Sequence, residues 1–147
     1  KYQLDYLANE SHQTTQIIGA INSLRGLYPQ WSIPYKASLA GYDSVIEHFT
    51  ELTKRYGYPI EPKRWQMYDE GVYHLNGNNN PTEALKYFHY NIKRDPEDLT
   101  SRRFLVDAYI ALNDKSSALS DLEFLLEKTK ELEEKQKLIE LKNTLLK

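Results

Sequence analysis

Four histidines, at positions 12, 48, 74 and 89, are the side chains with the widest chemical reach in this sequence. An imidazole can move a proton near neutral pH or bind a metal. A metal site on a helix wants two of them one turn apart. His48, His74 and His89 fall on three different expected helices, and no pair has that spacing, so they read as surface or packed residues. No metal and no cofactor are expected. There is no Gly-x-Ser-x-Gly nucleophile elbow and no glycine-rich phosphate loop. Cysteine is absent, which excludes disulfides, thiol catalysis and cysteine-ligated zinc. His12 differs from the others by its setting, on a short loop between an alternating segment and a helix.

The bulk numbers narrow the classes further. Nineteen basic residues against 21 acidic ones give a net charge of −2, with no large block of one sign. That is no footprint for nucleic acid or for an anionic membrane. No apolar run approaches the roughly 20 residues needed to span a bilayer. Residue 1 is Lys, and the single methionine is Met67. The chain therefore reads as the C-terminal part of a longer protein, and its compartment is left open.

The elements that must position these residues follow from periodicity. Tyr2 to Leu7 alternates apolar and polar residues, the period of a strand. A lone strand cannot satisfy its own backbone, so its partner must come from elsewhere. From Gln13 to Tyr28, the residues Ile17, Ile21, Leu24 and Tyr28 share a helical face. Residues 26–34 hold two prolines and no periodicity, and serve as a linker. One helix is expected from about Ser38 to Tyr56, closed by Gly57 and Pro59. A third opens at Pro62 with a stripe of Trp65, Tyr68, Val72 and Leu75. Asn80, Pro81 and Glu83 resemble a cap, first-turn proline and capping-box acid for a fourth, whose inner face is Ala84, Leu85, Phe88 and Ile92. A fifth carries Leu105, Ala108, Tyr109 and Leu112, and a sixth Ala118, Leu122, Leu125 and Leu126. The charged end keeps Leu138, Leu141 and Leu145 in register as a capping helix.

Ala84 and Ala118 are 34 residues apart, each in the first turn of a second helix. That is the tetratricopeptide period, and small residues there let two helices approach closely near their turn. Pro96 falls where such a repeat ends. The first repeat aligns through Gly71 only if the Asn-rich turn carries one extra residue, and Val106 stands where the second repeat should have a small one. The expected fold is all-α: stacked antiparallel, tetratricopeptide-like helix pairs preceded by an orphan strand and helix. The expected segments are 1–28, a linker and connecting helix over 29–61, and the repeats with their cap over 62–147. Tyr73, Tyr87 and Tyr90 are expected to fill helix interfaces.

The run Tyr6-Leu7-Ala8-Asn9-Glu10-Ser11-His12-Gln13-Thr14, followed by a helix ending Leu24-Arg25-Gly26-Leu27-Tyr28, resembles the end of the esterases related to esterase D and enterochelin esterase. Those are α/β-hydrolases. The pattern Tyr28, Trp31, Pro34, then His48-Phe49, Leu52 and Arg55-Tyr56-Gly57-Tyr58-Pro59, is similar to the extension some of them carry before helical repeats. The resemblance implies that Tyr2 to Leu7 is the last hydrolase strand and that His12 is the triad base. A serine hydroxyl needs such a base within hydrogen-bond reach, with an acid orienting its second nitrogen. Gln13 departs from the glycine common there. The implied serine and acid would lie upstream, so this chain is expected to be an accessory region without activity of its own. The alternative is a stand-alone protein-binding module. Expected partners are a peptide or protein on the repeats, or a second copy paired through residues 1–28.

Overall fold

The computed structural model describes residues 11–27 and 32–147. Among them are eight α-helices and one π-helical turn, and no strand, so the all-α class expected from periodicity is the class observed. The strand expected over Tyr2 to Leu7, with Tyr28 and Trp31, lies outside the described residues. The chain divides into two compact units, Lys1–Pro34 and Tyr35–Lys147. The first contains α1 (His12–Leu27). The Ser11 carbonyl accepts both the backbone N–H of Thr15, at 2.9 Å, and its hydroxyl, at 2.8 Å.

The second unit holds α2 (Tyr35–Ala40), α3 (Tyr42–Tyr56), α4 (Arg64–Val72), α5 (Pro81–Arg94), α6 (Leu99–Ala111), α7 (Lys115–Lys128) and α8 (Leu132–Leu145). The single helix expected from Ser38 to Tyr56 is divided at Gly41. Its φ of 102° lies where side chains are rarely tolerated, and a Cβ there would meet Glu83 Oε1 at 2.6 Å. Gly57 closes α3 in the left-handed conformation, its N–H bonded to the Thr53 carbonyl at 2.9 Å.

Side-chain caps recur along the unit. Asp98 opens α6 by accepting the Ser101 N–H at 3.2 Å and its hydroxyl at 2.8 Å. Asp114 opens α7 in the same way, through Ser117, at 3.1 and 2.7 Å. α5 packs on both α4 and α6, and α7 on both α6 and α8. One core cluster holds Leu75, Ala84, Phe88, Leu105 and Ala108. A second holds Val106, Ala118, Leu122, Leu125 and Leu138, and Tyr109 packs against both. Ala84 and Ala118 are each 0% exposed.

The α4 stripe differs from expectation. Trp65 is 64% exposed, while Met67 and Gly71 are buried. Gly71 lies against Phe88 so closely that a Cβ would sit 2.6 Å from the ring. The absent side chain, invisible to a search for apolar residues, marks the contact face. Beyond Val72 the helix widens into a π turn, Tyr73–Gly77, in which the Asn78 N–H reaches the Tyr73 carbonyl at 3.0 Å. A π turn takes up one more residue than an α turn without breaking the helix.

Candidate functional site

The meeting of α2, α4 and the π turn brings together a half-buried serine and carboxylate with a buried histidine. Ser38 Oγ donates to Glu70 Oε2 at 2.5 Å. His74 Nε2 donates to the Ser38 carbonyl at 3.0 Å, and Asn78 Nδ2 faces His74 Nδ1 at 3.4 Å. Because Nε2 faces a carbonyl, it carries the ring proton. A nucleophilic serine needs a ring nitrogen on its hydroxyl. Here both nitrogens are engaged elsewhere, so the trio is a structural clasp holding α2 to α4. Tyr87 stacks on His74, with ring centroids 5.4 Å apart. It is 0% exposed, and its hydroxyl has no hydrogen-bond partner among the described residues. Burial, with Glu70 and Glu83 nearby, pushes the phenol far above its ordinary range, so it stays protonated.

Glu83 completes the junction. Asn80 caps α5 by accepting the Glu83 N–H at 3.2 Å, as the sequence suggested. The Glu83 carboxylate does not return to the Asn80 N–H, which bonds the His74 carbonyl at 2.8 Å instead. It accepts the Tyr42 N–H of α3 at 2.6 Å and pairs with Lys86 at 3.0 Å. Lys86 also pairs with Asp43 at 3.3 Å, and the hydrogen bond to Glu83, then that to Asp43, hold its ammonium in the charged form.

Outside this junction, α3 and α5 border a groove of about 680 Å³ lined by Tyr42, Ile46, Glu61, Lys86, His89, Tyr90, Lys93 and Arg94. A volume of this order is typical of binding clefts. Tyr42, Ile46 and Tyr90 are half-buried and form its apolar part. Arg94 pairs with Glu61 and donates to the Tyr90 hydroxyl at 3.0 Å. His89 Nε2 lies 2.9 Å from the Tyr109 hydroxyl. Partial burial, aided by Arg102 and opposed by Asp121, lowers the His89 pKa, which favours the neutral ring. A neighbouring cleft of about 380 Å³ is lined by Pro59, Pro62, Arg64, Arg94 and Asp95 along with Asn91. Asn91 Nδ2 donates to the Arg64 carbonyl and to Ser101 Oγ, both at 3.1 Å.

His12 forms the first residue of α1, and its side chain is outside the described part. His48, His74 and His89 are not brought together. Among the described residues no three His, Asp or Glu side chains converge as metal ligands, and no helix is long and apolar enough to cross a membrane. Of the groove residues, sequence reasoning placed Tyr90 at a helix interface and passed over Lys86, Lys93 and Arg94. Their signal was the i, i+3, i+7 spacing of Lys86, His89 and Lys93 on one face of α5.

The chain matches no family model, no curated protein and no solved structure.

Proposed function

We propose that residues 35–147 are a protein-interaction module without catalytic chemistry of its own, built as tetratricopeptide-like stacked helix pairs. The groove between α3 and α5 carries this reading: it joins an apolar floor to a polar rim at a volume suited to a ligand. The 34-residue spacing of the buried Ala84 and Ala118 supports the repeat architecture. In the clasp of serine, carboxylate and histidine, the imidazole bonds the Ser38 carbonyl while the Ser38 hydroxyl bonds Glu70. The test is selection of binders from a random displayed peptide library on the full chain. Enrichment that Tyr90→Ala abolishes is expected. Enrichment indifferent to Tyr90, or none, would overturn the assignment.

A second reading rests on the esterase resemblance around His12. In it the chain is the accessory C-terminal region of a serine carboxyl-ester hydrolase, whose serine and acid lie upstream. The chain alone should not hydrolyse a short activated ester. In the longer protein, His12→Ala should lower turnover by roughly a hundredfold or more, the usual size of a general-base contribution. A normal rate in that variant would remove His12 from the chemistry. Self-association through residues 1–28 belongs to the same reading, supported by the exposed Ile17 and Ile21 of α1. Sedimentation of an Ile17→Glu, Ile21→Glu chain beside the parent tests it, and an unchanged oligomeric state would exclude that face.

A further inference from the structure

The groove already shows which chemistry α5 accepts, because the chain lays one of its own segments along it. After Gly57 the chain leaves the helix and runs through Pro59, Ile60, Glu61 and Pro62 without regular structure. It is tied to the end of α3 by Thr53, whose hydroxyl accepts the Ile60 N–H at 2.9 Å and donates to the Ile60 carbonyl at 3.1 Å. Pro62 is buried. Two prolines in four residues hold this stretch out of a helix. The segment delivers one carboxylate, Glu61, to Arg94. Arg94 is held beside Tyr90 by the hydroxyl contact, with its guanidinium carbon 5.5 Å from the ring centroid. A proline-flanked glutamate on an arginine packed beside a tyrosine is thus a built-in example of recognition by this surface.

The charges of the remaining groove point the same way. Lys86, Lys93 and Arg94 line it against a single acidic residue, Glu61. Lys86 is engaged by Asp43 and Glu83, and Arg94 by Glu61. Lys93 is exposed and makes no ion pair among the described residues. Counted with the carboxylates that engage them, the three cations are matched in number, but two of those carboxylates share Lys86, so Lys93 is the groove cation left without an ion pair among the described residues. Lys86, His89, Tyr90 and Lys93 share one face of α5, so Lys93 stands on the rim of an apolar floor made by Tyr42, Ile46 and Tyr90. Two of the three cations are already neutralised, which leaves far too few phosphate contacts for a nucleic acid.

We infer that the α3–α5 groove binds an acidic peptide segment, with an apolar or aromatic side chain on Tyr42, Ile46 and Tyr90 and a carboxylate on Lys93. This rests on the interaction-module reading and adds the chemical class of the partner. Glu61 competes for the adjacent cation, so Arg94 becomes available to the peptide only when Glu61 gives way. Electrostatic recognition of this kind sets specificity more than bulk affinity and weakens with salt.

The experiment is the composition of the peptides selected from the random library on the full chain, followed by binding of the winners to two variants. Enriched peptides should carry Asp or Glu beside an aromatic or aliphatic residue. Lys93→Glu, an exposed change that leaves the core untouched, should weaken them by about fivefold or more, the size of one well-placed charge pair. Glu61→Gln should tighten them, because Arg94 is released. Neutral or basic winners, or acidic winners that bind Lys93→Glu as well as the parent, overturn the acidic assignment while leaving the interaction module standing. An absence of any enrichment overturns both.

Discussion

Glu83, on α5, accepts the backbone N–H of Tyr42 at the start of α3 across 2.6 Å, so one helix is capped by a side chain 41 residues away. Helix-opening N–H groups lack partners within their own helix and favour a negative charge. Gly41, which precedes Tyr42, has no side chain to serve and leaves room for the carboxylate. Glu83→Ala should therefore destabilise the chain by about 1–2 kcal/mol, the usual cost of losing a cap. Glu83→Gln retains an acceptor and should lose less. Urea unfolding of both variants beside the parent checks this, and equal losses would mean the capping bond is not what Glu83 contributes.

Gly71 offers a contrast between local propensity and tertiary contact. Alanine inside a helix is intrinsically favoured over glycine by about 1 kcal/mol. At Gly71 the added Cβ would lie 2.6 and 2.8 Å from Phe88 ring carbons, and the ring is itself buried. Overpacking of this kind costs about 1–3 kcal/mol. Gly71→Ala should lower the urea midpoint, whereas Gly19→Ala, with nothing within 4 Å of its Cβ, should not. A raised midpoint for Gly71→Ala would place the α4–α5 crossing further apart than described.

Much of this fold is legible in the sequence because its helices are punctuated by residues with local meaning. Gly57, and Asn80 with Pro81, act through backbone conformation and capping, which local sequence reveals, and Ala84 and Ala118 fall on the apolar faces that the periodicity drew and are buried. What escaped has a common cause. Gly41 divides a continuous apolar stripe through its φ angle, and no periodicity reports φ. Trp65 was assigned inward by its helical spacing to Tyr68, Val72 and Leu75, although it is exposed and Met67 and Gly71 are buried. Glu83 has the spacing of a capping box, yet a better donor arrives from a distant helix. The groove was the least visible feature, since it is a juxtaposition of α3, α5 and the 59–62 segment rather than a motif.

The two buried alanines give a paired test of the helix crossings. Ala84 packs with Phe88 and Leu105, and Ala118 with Val106 and Leu122. Both sites are fully enclosed, so a leucine must displace its neighbours. Ala84→Leu and Ala118→Leu should each cost about 1–3 kcal/mol in a matched denaturant titration. Ala111→Leu, at an exposed position of α6, is the control and should change little. Unchanged midpoints at both Ala84 and Ala118 would argue against close helix pairs.

Asp114 supplies a pH prediction whose sign follows from its cap. Its carboxylate accepts the Ser117 hydroxyl at 2.7 Å and the Ser117 N–H at 3.1 Å. These bonds favour the ionised form, the hydroxyl first, and hold the carboxyl below its ordinary value of 3.8. The unfolded chain has no such cap and binds the proton more readily. The cap's contribution to stability is therefore complete above the ordinary carboxyl value, and is lost as pH falls through the lower folded value. An NMR titration of the Asp114 carboxyl carbon should show its midpoint below 3.8. Ser117→Ala removes the larger of the two causes and should return the midpoint toward that value. Asp114→Asn still caps α7 but carries no titrating group, so its stability should fall less steeply over the same acid range. An Asp114 midpoint at or above the ordinary value, or one unmoved by Ser117→Ala, would separate the cap seen at α7 from the electrostatics assigned to it.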